Sequence, residues 1–266
     1  MTEASWIELD GAANVRDLAG LPTADGRVVQ PGRLIRSDNL QGLSERDVRV
    51  LVQEIGVRAV ADLRTGVEVA SEGPGPLLEI DDVEVHHLSL FPEAGHNTDV
   101  AADSHDPVVL PWQNREVDTS NGRRGTSAVY LKYLDDRADS VIAALRLIAN
   151  SPGATIVHCA AGKDRTGTVV ALALAEVGVV REAIVTDYGR SAERIEAIIE
   201  RLRATRTYAD DLAEGADVSR HAPREATMER LLDAIDEEFG GPAAWLRAHG
   251  WTGADAAALR RKLLDS

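Results

Sequence analysis

Residues 154–178, ATIVHCAAGKDRTGTVVALALAEVG, constrain the fold more tightly than any other stretch of the chain. An apolar run of strand length enters a turn dense in charge and glycine, and an apolar run of helix length leaves it. Neither run alternates with polar residues, so both strand and helix are predicted to be buried. A buried strand feeding a buried helix needs a sheet beside the one and packed layers around the other, which is an α/β core. The polar chemistry is confined to the turn between them. His158, Cys159, Lys163, Asp164 and Arg165 sit there together, and Cys159 is the only cysteine in the chain.

The flanking sequence is consistent with that core. Residues 14–37 read as a β-rich entry with a hairpin at Asp25-Gly26. LSERDVRVLVQEIG has helical spacing, with Ser44 and Asp47 as a capping pair and Gly56 as the stop. VRAVADLR (57–64) is a buried strand, and VEVHHLSLF (83–91) a second one of mixed burial. Residues 92–125 show no regular period and are too long for an ordinary connection, which predicts a functional or partly mobile loop. Helical spacing resumes from Tyr130 to Ile148. Beyond the central strand the pattern is helical throughout, with one stripe through Val185, Tyr188, Ile195, Ile199 and Leu202 and another from Met228 to Phe239. The first stripe reads as packing against the core. The predicted architecture is one domain over 1–266, a mostly parallel central sheet flanked by helices, with a helical insertion around 181–225.

Charge and length narrow the function. A net charge of −15 speaks against general binding to nucleic acid or to anionic membranes. The longest apolar stretch, 168–180, is too short to span a bilayer and contains Glu176, so stable membrane insertion is not expected. No basic-then-apolar signal segment is visible at the N-terminus. A cytoplasmic location is expected, with export lacking a cleaved signal left open. The spacing of His86, His87, His96 and His105 lacks carboxylate or cysteine company and predicts surface or loop histidines. Arg64 could pair with a core acid or line a pocket.

The loop HCAAGKDRTG brings several backbone N–H groups and the positive end of a helix to one point, which suits a phosphate. Gly162 and Gly167 permit the tight backbone, and the Arg165 guanidinium can grip two phosphoryl oxygens. A cysteine at the base of such a cradle is favoured as thiolate, the nucleophilic form.

H-C-x5-R-T between a strand and a helix resembles the signature of cysteine-dependent protein tyrosine phosphatases. HCAAGKDRTG is similar to a bacterial subgroup with C-x-x-G-K-D-R, whose activities extend to phosphotyrosine, phosphoserine/threonine and phosphoinositides. NVRDLAG, PGRLIRSDNL, VADLRT and IDEEFGGPAAWLRAHG resemble further blocks of that subgroup, in the same order. The resemblance implies a tyrosine-phosphatase-like fold with a helical lid beyond residue 181. It implies Cys159 as nucleophile forming a cysteinyl-phosphate, Arg165 on the phosphoryl group, and a cradle from the amides of Ala160, Ala161, Gly162, Lys163, Asp164 and Arg165. Thr166 would assist departure of the thiol, His158 would support the loop, and Lys163 matches the extra cation of phosphatases that accept inositol lipids. The implied substrates are a phosphotyrosyl protein or a phosphoinositide, with phosphate or vanadate as inhibitors and no metal or cofactor.

The general acid is open at this level. Most of the family supplies an aspartate from a Trp-Pro-Asp loop, which this chain lacks. Asp164 is favoured by the K-D-R pattern; Glu93, after Phe91-Pro92, and Asp62 are the alternatives. Two other functions compete. A rhodanese-like sulfurtransferase also cradles a cysteine, although its loop rarely pairs C-x5-R with a threonine. A catalytically silent phospho-ligand binding module would have no need of both Cys159 and Arg165.

Overall fold

Among the described residues, six strands form one sheet: β1 (Ser5–Trp6), β2 (Arg16–Asp17), β3 (Leu34–Ser37), β4 (Val57–Asp62), β5 (Glu84–His87) and β6 (Ala154–His158). The computed structural model describes residues 5–92, 126–209, 212 and 218–265. Strand order is β1-β2-β3-β6-β4-β5, with β3, β6, β4 and β5 parallel and the first two strands added antiparallel. The ATIVH strand is therefore central, and all five of its residues are buried. Its alternation splits the core in two. Ala154 and Ile156 pack with Ile35, Val57 and Val60 on one face, while Val157 and Cys159 pack on the other with Leu34 and Ala61. Parallel register places Ser37, Asp62 and His87 level with His158 at the carboxyl edge of the sheet, where open α/β sheets bind ligands.

Ser44 and Asp47 form a capping box at the start of helix α1 (Glu45–Arg49), which continues as a wider π-wound turn over Val50–Ile55. Gly56 closes it at φ +81, a conformation that favours glycine. Strands stop short of their apolar runs: β4 ends at Asp62, and β5 covers only Glu84–His87 of 83–91. The Asp25-Gly26 turn forms, with Thr23 N–H donating to the Arg27 carbonyl at 2.9 Å, but its arms share one isolated bridge between Pro22 and Val28. Helix α2 (Gly66–Glu72) begins with a Thr65–Glu68 capping box.

The helical spacing around 130–148 is two helices, α3 (Thr126–Asp136) and α4 (Ala138–Asn150), broken at Arg137 (φ −135, ψ 44). Both face the same apolar core, so the hydrophobic period survives the break. Helix α5 (Asp164–Glu176) leaves the loop after β6, and its residues 165–174 are all buried. Then come α6 (Arg181–Arg190), α7 (Ile195–Arg203), α8 (Glu225–Phe239), α9 (Pro242–Ala248) and α10 (Gly253–Leu264). Ile184, Val185 and Tyr188 of α6 belong to the main core, and only from Ile195 onward does the chain lie on the loop, packing Ile198, Ile199 and Leu202 with Ala160 and Ala161. The stripe from Val185 to Leu202 is inward packing.

One buried ionic joint ties α6 to the sheet. Asp187 accepts from Arg16 Nε on β2 at 2.8 Å and from Arg36 Nη1 on β3 at 2.6 Å, with all three side chains at most 1% exposed. Removing one charge from such a group leaves the others desolvated without a partner. Asp187→Asn should lower stability by about 3–5 kcal/mol, read as a fall in the urea midpoint; a loss below about 1 kcal/mol would mean that solvent reaches the joint.

Candidate active site

Every peptide unit carries a donor and an acceptor on opposite sides, so a loop whose carbonyls are tied outward turns its N–H groups inward. The loop after β6 is built that way. The Ala160 carbonyl accepts from Asn39 N at 3.1 Å, and the Ala161 carbonyl from Asn14 Nδ2 at 3.0 Å. The Gly162 carbonyl accepts from Arg36 Nη2 at 2.8 Å and Asn14 Nδ2 at 3.2 Å. The Lys163 carbonyl accepts from Gly167 N at 2.8 Å and the Asp164 carbonyl from Thr168 Oγ1 at 3.0 Å. Among the described residues, no amide of Ala160–Asp164 donates to a protein acceptor. Gly162 has φ +66, and a Cβ there would stand 2.4 Å from the Ser37 carbonyl oxygen, so the loop can approach β3 this closely only with glycine.

Cys159 lies at the base of this loop, 2% exposed, and Thr166 Oγ1 donates to its sulfur at 3.2 Å. Arg165, from the first turn of α5, reaches back across the sheet edge to α2. Nη1 donates to Glu68 Oε2 at 2.6 Å and Nη2 to Glu68 Oε1 at 2.8 Å, a fork that fixes the guanidinium plane. Nη1 also meets the Leu63 carbonyl at 3.2 Å and Nη2 the Tyr208 hydroxyl at 3.3 Å; the guanidinium lies 5.5 Å from the Phe91 ring centre. Burial alone would lower the Arg165 pKa, but Glu68 more than offsets it and keeps the group charged. Glu68 is held below the usual carboxylate range by the same pairing, against its own burial.

Asp164 and Lys163 adjoin, with Lys163 Nζ 3.3 Å from Asp164 Oδ2. The Tyr130 hydroxyl donates to Asp164 Oδ1. Asp62 is differently placed. It is buried and held by Arg64, whose Nη2 donates to Oδ2 at 2.6 Å, while His158 Nε2 lies 3.5 Å from Oδ1. Burial would raise the Asp62 pKa, yet His158 and the Arg64 fork outweigh it and hold it well below the usual range. Such a carboxyl is a poor proton donor, so Asp62 braces the strand ends, and Arg64 is the partner of a core acid. Glu93 lies outside the described residues.

The structure thus gathers His158, Cys159, Ala160, Ala161, Gly162, Lys163, Asp164, Arg165, Thr166 and Gly167 as one strand–loop–helix unit. Sequence reasoning assigned no role to Asn14, Arg36, Asn39, Glu68, Tyr130 or Tyr208. Glu68 stands three residues after Thr65 as in a capping box, and Asn14, Arg36 and Asn39 lie in the blocks NVRDLAG and PGRLIRSDNL. A sulfur below unengaged amides and beside a fixed guanidinium can attack a bound oxyanion electrophile such as a phosphorus.

A family model described as "Tyrosine phosphatase family" matches residues 7–265. The triple specificity protein phosphatase PtpB of Mycobacterium tuberculosis is 33% identical, over 97% of this chain and 98% of its own. A Cupriavidus necator relative whose name includes tyrosine-protein phosphatase is 29% identical over 91% of this chain and 82% of its own. The tyrosine-protein phosphatase of Nostoc commune is 24% identical over 93% and 79%. The family match displaces the sulfurtransferase reading.

His158 gives the site a pH signature. Burial pushes its pKa down from 6.5 to about 4, with Asp62 opposing in part. Between those values the unfolded chain takes up a proton that the native ring refuses, so stability present above pH 6.5 declines as pH falls towards 4. The amount is about 3 kcal/mol. The urea midpoint should fall over this window, and His158→Gln should flatten that fall; equal slopes in the two proteins would assign the acid sensitivity elsewhere.

Proposed function

The chain belongs to the tyrosine phosphatase family, and we propose that it cleaves phosphomonoesters through a cysteinyl-phosphate on Cys159. The observation that carries this reading is the loop whose carbonyls are drawn outward by Asn14, Arg36 and Asn39. Its amides and Arg165 hold the phosphoryl oxygens. The Cys159 thiolate attacks phosphorus, and the S–P bond forms as the P–O bond to the leaving group breaks. Asp164 gives its proton to the departing oxygen. Water then attacks phosphorus, Asp164 takes the water proton, and the sulfur leaves while accepting the Thr166 hydrogen bond. His158 supports the loop from behind. The amides and guanidinium supply the charge stabilisation, so the scheme calls for no metal or cofactor, and phosphate and vanadate act as inhibitors that fill the cradle.

The likeness to a phosphatase named for triple specificity supports a broad substrate range. Phosphotyrosyl proteins are the first substrate class, with phosphoserine/threonine proteins or phosphoinositides accepted beside them. Lys163, 17% exposed at the loop, is the cation that would meet additional phosphate groups. The segment Ile195–Arg203 with Tyr208 acts as the cover. One domain over 1–266 is part of the proposal, and the Gln30 N–H donating to the Leu263 carbonyl at 2.8 Å, between the N-terminal strands and the last helix, supports it. Among the described residues no helix is long and apolar enough to cross a membrane. Residence in the cytoplasm is part of the proposal, because reducing conditions keep a lone thiol active.

Cys159→Ser should abolish p-nitrophenyl phosphate hydrolysis while retaining phosphate binding by calorimetry; equal turnover in the two proteins would refute the thiolate route. A panel of phosphotyrosyl peptide, phosphoseryl peptide and phosphoinositide should all be hydrolysed, with the first fastest. Release of phosphate from the tyrosyl peptide alone would remove the broad range.

A further inference from the structure

Two buried tyrosines stand behind Asp164, and neither has a role in the scheme above. Tyr130, on α3, donates its hydroxyl to Asp164 Oδ1. The Tyr188 hydroxyl, on α6, lies 2.8 Å from that of Tyr130. The rings are 1% and 2% exposed and meet edge to face at 6.4 Å. A phenol has one proton. With the Tyr130 proton on Asp164, the bond between the hydroxyls is donated by Tyr188, and the chain runs Tyr188 to Tyr130 to Asp164. Burial pushes both phenols above their ordinary value, so both remain donors at neutral pH. The glycine of the loop motif is part of the same arrangement. A Cβ on Gly167 would stand 2.8 Å from the Tyr188 ring, so glycine lets that ring pack against the first turn of α5.

A carboxyl group carries its proton on one of two oxygens. Oδ1 is engaged as the acceptor of a buried donor, and Oδ2 lies 3.3 Å from Lys163 Nζ, a donor on a flexible stem that pairs with the ionised carboxylate and swings away when Oδ2 is protonated. We propose that Tyr130 is a positioning residue for Asp164, holding Oδ1 so that Oδ2 carries the proton passed to the leaving group. The inference rests on the reading of Asp164 as acid and base. In the first step the Oδ2–H bond breaks as the leaving oxygen takes the proton, and negative charge builds on a carboxylate already hydrogen-bonded to Tyr130. That bond strengthens as the charge develops, because a hydrogen bond to an ion is the stronger kind. Tyr130 therefore favours the transition state of proton donation over the starting acid. In the second step Oδ2 receives a proton from water, and the Tyr130 bond relaxes again.

The test is a leaving-group series on wild type, Tyr130→Phe, Asp164→Asn and the double variant. Phenyl phosphate needs its leaving oxygen protonated, and p-nitrophenyl phosphate hardly does. Tyr130→Phe should lower kcat/KM for phenyl phosphate by about ten- to a hundredfold and for p-nitrophenyl phosphate by less than about threefold, with the inhibition constant for phosphate unchanged. In the Asp164→Asn background the same change should have little further effect, since the two groups act as one unit. Tyr188→Phe, which removes only the outer donor, should show the same selectivity at smaller size, and it serves if Tyr130→Phe fails to fold. Equal losses for both substrates, or no loss for either, would overturn the positioning role while leaving Asp164 as the acid if its own variant keeps the selectivity. An Asp164→Asn variant that is flat across leaving groups would overturn the acid reading, and this inference with it.

Discussion

The site depends on which way five peptide units face. A carbonyl held by an outside donor leaves its N–H no choice but to point away, and the loop after β6 has such a donor at each carbonyl from Ala160 to Asp164. Three of the donor residues come from distant parts of the chain and two from the helix that follows. Asn14 and Arg36 sit on or beside the antiparallel and parallel strands to one side, Asn39 follows β3, and Gly167 and Thr168 belong to α5. Charge adds to direction. The guanidinium on the Gly162 carbonyl polarises that peptide, which makes the N–H on its far side a better donor to an anion.

Holding Arg36 in place requires the ionic joint behind it. Arg16 and Arg36 share the single carboxylate of Asp187, so the buried group carries excess positive charge at the back of the loop. A chain of net charge −15 thereby keeps a cationic cluster behind the loop whose amides face inward. Arg165 with Glu68 and Arg64 with Asp62 form one-to-one buried pairs at the front and flank of the loop. Buried ion pairs add little net stability. Their value here is geometric, because each fork fixes a plane and each plane fixes part of the loop.

Much of this was legible locally. HCAAGKDRTG between two apolar runs indicated a buried strand, a donor-rich turn and a buried helix, and each formed where its residues stand. Ser44 with Asp47 and Gly56 marked a helix correctly, because capping is decided within four residues of the chain. The break at Arg137 was not legible, since apolar spacing records which side faces the core and is indifferent to one residue leaving helical geometry. The stripe from Val185 to Leu202 was legible as inward packing, but not which cluster each part joins: Val185 and Tyr188 enter the main core, while Ile195, Ile199 and Leu202 pack on the loop.

The sequence by itself determined the strand–loop–helix form and which side chains it gathers, because the strand, the glycines and the helix start are contiguous and their conformations follow from local sterics and backbone hydrogen bonding. It also determined the α/β class, through the length and apolarity of the flanking runs. Tertiary structure alone decided what holds that loop and what faces Asp164. Glu68 lies 97 residues from Arg165, Tyr130 lies 34 from Asp164 and Asn14 lies 147 from Ala161. Contacts of that span depend on strand order and helix packing, and no local pattern encodes a partner that the fold has yet to bring near.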